Sequence, residues 1–128
     1  MIRTFTIILI LAFESILPQD VMWPTQVNKV FSSNFGENRD DHFHMGVDIK
    51  TGGKIGLEVL AVEDGYISRI RSNYTGYGKA LYLRTNSGHE VVYAHLESFN
   101  PIIEKIWRLQ QGKRKSYVVD TQFSPKDF

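Results

Sequence analysis

The stretch from Ala80 to Leu96, ALYLRTNSGHEVVYAHL, predicts a β-hairpin and decides the fold class. Runs of strand-forming residues at Ala80–Arg84 and Val91–Leu96 flank the turn signal Asn86-Ser87-Gly88. Further short strands, separated by turns about 8–12 residues apart, are expected at Phe31–Phe35, Glu58–Val62, Tyr66–Arg71 and Ser116–Asp120. This pattern predicts a mainly β domain built on an antiparallel sheet.

One helix is expected to interrupt the strands. Asn100 suits the N-cap and Pro101 the first helical position, and apolar residues then recur at helical spacing as far as Leu109. Gly112 is expected to end the helix, and the cluster Lys113-Arg114-Lys115 lies where cations favour a helix C-terminus. This cluster is interpreted as a solvated helix end, with contact to an anionic polymer as the alternative.

The composition limits the class of protein. The chain has 128 residues, 42% of them hydrophobic, which suffices for one domain with its own core. Because 15 basic residues nearly balance 14 acidic ones, nucleic acid is not expected as the main partner. The lack of cysteine excludes a disulfide framework, a thiolate metal site and a cysteine nucleophile.

The N-terminus resembles an export signal. Arg3 precedes an apolar run from Phe5 to Phe13, a length that suits the core of a signal peptide. A membrane-spanning helix needs about 20 apolar residues, so no stable membrane span is expected. We therefore predict a signal peptide at residues 1–17 and an exported protein of the periplasm, cell envelope or extracellular space. Residues 18–30 are expected to be extended. The alternative for the apolar run is a first buried strand.

The segment His42-Phe43-His44-Met45-Gly46-Val47-Asp48 carries the candidate chemistry. Two imidazoles and a carboxylate are ligands that a divalent ion such as zinc prefers. A straight strand would separate His44 from Asp48 by roughly 13 Å, at about 3.3 Å per residue. Sharing one ion therefore requires a bend, which Gly46 tolerates. His42 and His44 on one strand face are a competing ligand pair, and a solvated loop without metal is the other alternative.

His95 lies in the apolar run Val91–Leu96, which predicts a strand buried on both faces. A buried imidazole needs a hydrogen-bond partner. The residue is therefore either a core histidine bonded to a backbone carbonyl or part of a functional site. His89, beside the hairpin turn, is assigned to the surface.

Four short motifs follow one another along the chain: Phe43-His44-x-Gly46-x-Asp48, Val62-x-Asp64-Gly65, Gly76-Tyr77-Gly78 and Tyr93-Ala94-His95-Leu96. Together they resemble the lysostaphin/LytM-type zinc endopeptidases, which cut peptide bonds in peptidoglycan. The resemblance runs from about Phe31 to the end of the chain. It implies the lysostaphin-like, duplicated hybrid motif type of β fold, with the helix Pro101–Gln111 as an insertion.

The resemblance also implies functional roles. His44 and Asp48 match two zinc ligands of the family, and His95 matches a catalytic histidine that orients or deprotonates the attacking water. Zn²⁺ is the implied cofactor and a peptidoglycan peptide the implied partner. No His-x-His motif follows His95, although the family takes its third ligand from one. Residues 31–128 are therefore expected to be the N-terminal part of a catalytic domain, a fragment without that motif.

Three functions are compatible with these features. The first is a zinc metalloendopeptidase acting on cell-wall peptides, and the second is a non-catalytic cell-wall binding or regulatory module of the same fold. The third is a β domain whose histidines are structural. The presence of His44, Asp48 and His95 favours the first. His42 is left with two open roles, a contact behind the metal ligands or a position in the substrate groove, and the oligomeric state stays open.

Overall fold

The computed structural model describes residues 21–27 and 29–127. The described elements are β1 (Phe31–Ser33), β2 (Asp48–Ile49), β3 (Gly65–Ser72), β4 (Lys79–Thr85), β5 (Glu90–Tyr93), α1 (Pro101–Arg114) and β6 (Val119–Gln122). Strands β1 and β2 form an antiparallel pair, and the other strands form an antiparallel sheet in the order β5-β4-β3-β6. The predicted fold class, mainly β with one helix, is confirmed. The predicted signal peptide at residues 1–17 lies outside the described residues.

Strands β4 and β5 form the predicted hairpin, with Leu81 opposite Tyr93 and Arg84 opposite Glu90. The strand ends at Tyr93, short of the predicted Leu96. It ends there because His95 adopts a left-handed backbone conformation with φ +56°, which a strand cannot continue. The prediction of a strand over Val91–Leu96 is therefore wrong at its C-terminal end, and His95 is exposed rather than buried.

The core lies between the four-stranded sheet and α1. Ile70 and Val119 from the sheet pack with Ile103 and Trp107 from the helix, and all four are at most 6% exposed. The Trp107 indole also donates a hydrogen bond from Nε1 to Ser72 Oγ at 2.8 Å. Apolar burial and a satisfied indole together hold the helix on the sheet.

Helix α1 begins as predicted and ends later than predicted. The Asn100 side chain accepts a hydrogen bond from the Ile103 backbone N–H at 3.0 Å, and Pro101 occupies the first turn. The helix continues through Gly112 to Arg114. Lys115, with φ +49°, takes the left-handed capping conformation that glycine usually supplies, so the predicted stop at Gly112 is wrong.

Three further strand predictions differ from the structure. The strand at Phe31–Phe35 ends at Ser33, and the one expected at Ser116–Asp120 lies at Val119–Gln122. Residues 58–62 form no strand and make an isolated bridge between Val59 and Thr25. They lie beside the segment 21–27, where the Pro24 carbonyl accepts a hydrogen bond from the Leu60 N–H. Pro24 has no N–H of its own, so the strand ladder cannot continue there. The strand over Tyr66–Arg71 is confirmed within β3.

No helix in the described part of the chain is long and apolar enough to cross a membrane.

Candidate metal site

His44 and Asp48 lie side by side in the structure. The distance between His44 Nε2 and Asp48 Oδ1 is 3.3 Å, far less than the roughly 13 Å of a straight strand. The residues between them belong to no strand, and β2 begins at Asp48. The chain therefore bends between the two side chains, as predicted from their spacing.

Gly46 lies at this bend, but the bend does not use the conformational freedom of glycine that was predicted. It does not adopt the left-handed conformation that only glycine takes easily. A Cβ atom added to Gly46 would lie 3.8 Å from His44 Nε2, in ordinary van der Waals contact. The backbone of this bend therefore does not require glycine, and a small side chain would fit beside His44 Nε2.

The His44 ring is held through its other nitrogen. Nδ1 lies 3.1 Å from the Asn34 carbonyl oxygen and 3.0 Å from Ser33 Oγ. Because a carbonyl oxygen only accepts hydrogen bonds, Nδ1 carries the proton. In the neutral imidazole Nε2 then presents its lone pair towards Asp48, the arrangement typical of metal-binding histidines. A fully protonated ring in the same place would make an ion pair with Asp48 instead.

The Asp48 carboxylate is oriented from the opposite side. Its Oδ2 accepts a hydrogen bond from Arg39 Nη2 at 2.8 Å, while Oδ1 faces His44. The same Arg39 nitrogen donates to Ser33 Oγ at 3.2 Å. The Arg39 guanidinium thus connects Ser33, which contacts His44 Nδ1, with the Asp48 carboxylate, which faces His44 Nε2.

Glu37 completes this polar network. The Ser33 hydroxyl donates to Glu37 Oε2 at 2.6 Å, and this hydrogen bond, followed by that from the Asn34 N–H, holds the pKa of Glu37 below its usual value. Sequence reasoning did not identify Ser33, Glu37 or Arg39. The only local sign was their position just before the His42–Asp48 segment, and the register that pairs Ser33 with Asp48 brings them to it.

The donor atoms fit two positions around a zinc ion. Two ligands at about 2.0–2.2 Å from a tetrahedral ion lie roughly 3.3–3.6 Å apart, and His44 Nε2 and Asp48 Oδ1 are 3.3 Å apart. Within residues 21–27 and 29–127, no group of three or more His, Cys, Asp or Glu side chains is placed to hold a metal ion. The described chain therefore supplies two candidate ligands, where catalytic zinc usually has three.

His95 follows β5 and does not join such a group. Its backbone N–H donates to the Tyr77 carbonyl at 3.0 Å, and the next N–H, of Leu96, donates to the Lys79 carbonyl at 3.0 Å. These bonds hold the backbone at φ +56°. The ring itself makes no hydrogen bond or ion pair to any described residue, so the interpretation as a buried histidine bonded to a carbonyl is wrong.

The remaining histidines have other partners. His42 Nδ1 pairs with the neighbouring Asp41 carboxylate, and this hydrogen bond lowers the pKa of Asp41. His42 therefore pairs with Asp41, whereas His44 pairs with Asp48. His89 is exposed, with Nδ1 2.8 Å from Ser87 Oγ, so its assignment to the surface is confirmed.

A family model described as Peptidase family M23 matches residues 42–126, more than half of the chain. The match begins at the His42–Asp48 segment and includes both His95 and α1. No curated protein and no solved structure matches the chain significantly.

Proposed function

The chain belongs to peptidase family M23, and from that premise we propose that it is a zinc metalloendopeptidase that hydrolyses peptide bonds in bacterial cell-wall peptidoglycan. Family membership indicates hydrolase activity and a peptide substrate. The observation that supports the finer proposal is the 3.3 Å pair formed by His44 Nε2 and Asp48 Oδ1. A protonated Nδ1 on His44 and an oriented carboxylate are what a zinc ligand pair requires.

In this proposal His44 and Asp48 hold the ion. Zinc, when bound, supplies Lewis-acid activation of the scissile carbonyl and of water. Ser33 and the Asn34 carbonyl keep the His44 proton on Nδ1, and Arg39 donates to Asp48 Oδ2, which would leave Oδ1 for the ion. In this proposal these residues position the two ligands.

His95 is the proposed catalytic residue. Its ring is exposed and has no side-chain partner in the described chain, so either ring nitrogen is available to exchange a proton with substrate or water. The backbone at His95 is left-handed, and such conformations cost free energy that the surrounding structure must offset. The hydrogen bond from its N–H to the Tyr77 carbonyl helps to do so.

The His-x-His motif from which the family takes its third zinc ligand is not among the 128 residues. The chain has no histidine after His95, and two protein ligands retain zinc poorly. The 128-residue polypeptide alone is therefore expected to bind zinc weakly and to leave peptidoglycan intact. Stoichiometric zinc together with measurable cleavage by this polypeptide would contradict that expectation.

A decisive experiment joins the chain to the His-x-His segment of a close relative and measures bound zinc and peptide release from purified peptidoglycan. His44→Ala and Asp48→Ala should each abolish zinc retention. His95→Ala should retain zinc and lower the rate by about 10²–10⁴-fold, the usual contribution of a general acid or base. His89 is a surface histidine of the β4–β5 hairpin. His89→Ala is therefore the matched control and should change neither the bound zinc nor the rate of peptide release.

A non-catalytic cell-wall binding module of the same fold is the second candidate function. It is favoured by the presence of two rather than three candidate ligands in the described chain. In the experiment above, zinc retention and peptidoglycan binding without peptide release would support this candidate.

Export is part of the proposal, because the substrate lies outside the cytoplasm. It is supported by Arg3 and the apolar run Phe5–Phe13, a pattern typical of signal peptides. N-terminal sequencing of the protein recovered from the cell envelope should find a start near residue 18. Envelope material that still begins at Met1 would contradict removal of a signal peptide.

A further inference from the structure

A cleft of about 300 Å³ lies where β3 runs into the loop before β4. Its lining offers one guanidinium, one carboxamide and two hydroxyl groups, and it contains no acidic side chain; the residues are Arg71, Asn73, Thr75, Gly76, Tyr77 and Gly78. Clefts of this size are at the lower end of those that bind small ligands. The residues that line the cleft thus include several hydrogen-bond donors and one positive charge.

Arg71 makes only one long ion pair within the described chain. The nearest carboxylate, Asp120, lies 3.9 Å from Arg71 Nε, whereas Arg69 contacts both Asp120 oxygens, at 2.7 and 2.5 Å. Arg114 donates to the Asp120 backbone carbonyl at 3.2 Å. Arg69 and Arg71 therefore share one carboxylate, which Arg69 already holds in bidentate fashion. The Arg71 side chain is 40% exposed and makes no other ion pair in the described chain.

The loop that forms the cleft also holds the backbone of His95. Asn73 N–H donates to the Gly78 carbonyl at 3.0 Å and closes the loop, in which Gly76 and Gly78 have φ of +66° and +58°. The Tyr77 carbonyl accepts the hydrogen bond from the His95 N–H at 3.0 Å. A ligand held in the cleft is therefore held on the segment that fixes the His95 backbone.

We propose that this cleft binds the free carboxylate of a short peptide and thereby positions the peptide relative to His95. A guanidinium pairs with a carboxylate through two parallel hydrogen bonds, and Arg71 has no such bidentate partner in the described chain. The Asn73 amide and the hydroxyls of Thr75 and Tyr77 supply further donors. That the bound peptide is substrate rests on the proposed function, whereas the anion site rests on the cleft and its charges.

The experiment titrates the 128-residue chain, without zinc, with N-acetyl-trialanine that has a free C-terminal carboxylate, and with its C-terminal amide. Binding is followed by NMR chemical-shift changes in residues 71–78. The carboxylate form should bind at least tenfold more tightly than the amide. Arg71→Gln should remove that difference. Arg84→Gln is the matched control and should preserve it, because Arg84 is a strand arginine of similar exposure, 43%, paired with Glu90.

Two further variants separate binding from folding. Asn73→Ala removes a cleft donor whose side chain has no hydrogen-bond partner in the described chain, and it should weaken carboxylate binding severalfold with unchanged thermal unfolding. Arg71→Lys keeps the positive charge but lacks the planar guanidinium. Its affinity for the peptide carboxylate should lie between that of the native chain and that of Arg71→Gln. Equal binding of acid and amide, or binding that survives both Arg71→Gln and Asn73→Ala, would overturn the site.

Inorganic phosphate tests the source of the anion. If phosphate shifts the same residues and binds more tightly than the peptide carboxylate, the assignment to a peptide is overturned. Since the titration needs neither zinc nor hydrolysis, its failure leaves the peptidase proposal untouched. Equally, carboxylate binding remains measurable if the chain carrying a His-x-His segment fails to hydrolyse peptidoglycan.

Discussion

At the scale of single residues, the Ser33 hydroxyl makes three contacts that meet at the candidate metal site. It donates to Glu37, accepts from Arg39, and lies 3.0 Å from His44 Nδ1. Since its own proton points to a carboxylate, Ser33 is available to His44 only as an acceptor. The serine thus acts with the Asn34 carbonyl to keep the His44 proton on Nδ1 and the lone pair on Nε2.

Replacing Ser33 with alanine should make the position of the proton on the His44 ring less well defined. We expect Ser33→Ala to lower zinc affinity by about tenfold, the smaller end of the effect seen for residues that orient metal ligands. Without metal, the ¹⁵N shifts of the His44 ring should change from one tautomer towards a mixture of two. Ser98→Ala, an exposed serine with no hydrogen-bond partner in the described chain, is the control. Unchanged tautomer and affinity would show that the Asn34 carbonyl alone suffices.

At the scale of elements, α1 offers two adjacent isoleucines in opposite environments. Ile103 is 2% exposed in the core, whereas Ile102 is 68% exposed. Ile103→Ala should therefore lower the free energy of unfolding by about 2–5 kcal/mol, because it removes buried methyl groups and leaves a cavity. Ile102→Ala should change it by no more than about 0.5 kcal/mol. Urea denaturation of both variants measures the difference, and similar losses would mean that α1 does not dock through the Ile103 face.

The attachment of β6 to β3 should depend on pH. The pair Arg69–Asp120 links these strands, and its hydrogen bond is the main reason that the pKa of Asp120 is lowered. A lowered pKa means that the folded state favours the ionised carboxylate. The resulting stability is present above the unfolded pKa of about 3.9 and is lost as pH falls through the lower folded value.

Denaturation measured from pH 6 to pH 2 should therefore show this loss in the native chain and a weaker pH dependence in Asp120→Asn. Both side chains are about one-third exposed, so the effect should be about 1 kcal/mol or less. Asp64→Asn, an exposed aspartate without an ion pair in the described chain, should retain the native profile. An Asp120→Asn profile as steep as the native one would assign the acid sensitivity to other groups.

At the scale of the whole molecule, the apolar core and the candidate metal site occupy different parts of the chain. All buried hydrophobic residues of the described chain lie between Ile70 and Val119. The described residues before β3 contribute one buried side chain, Ser33, and their order depends on hydrogen bonds and the short β1–β2 pair. Regions with few buried apolar contacts open more readily than the core.

Amide hydrogen exchange should reveal this division. Without metal, the amides of β1 and β2 should exchange by local opening, faster than those of β3 and β4. In the chain that carries a His-x-His segment, zinc should slow exchange at residues 44–49, because a ligand that binds only the closed form stabilises it. Equal protection of β1 and β3 without metal would show that the site region is as stable as the core.

The sequence by itself determined the features that depend on near neighbours. The hairpin of β4 and β5 follows from alternating strand formers around Asn86-Ser87-Gly88, and the start of α1 follows from Asn100 and Pro101. The bend that brings His44 to Asp48 was predicted from their spacing only on the premise that the two residues share an ion. In each case the deciding hydrogen bonds and backbone angles lie within a few residues, where residue type is informative.

Only the tertiary structure decided the features that depend on distant partners. Ser33 reaches the site because the register of β1 and β2 places it opposite Asp48. Strand β5 ends before His95 because the His95 backbone N–H donates to the distant Tyr77 carbonyl. Helix α1 continues past Gly112 because Lys115, and not Gly112, forms the C-cap. Register and long-range hydrogen bonds are set by how the whole sheet and helix pack, which no local run of residues encodes.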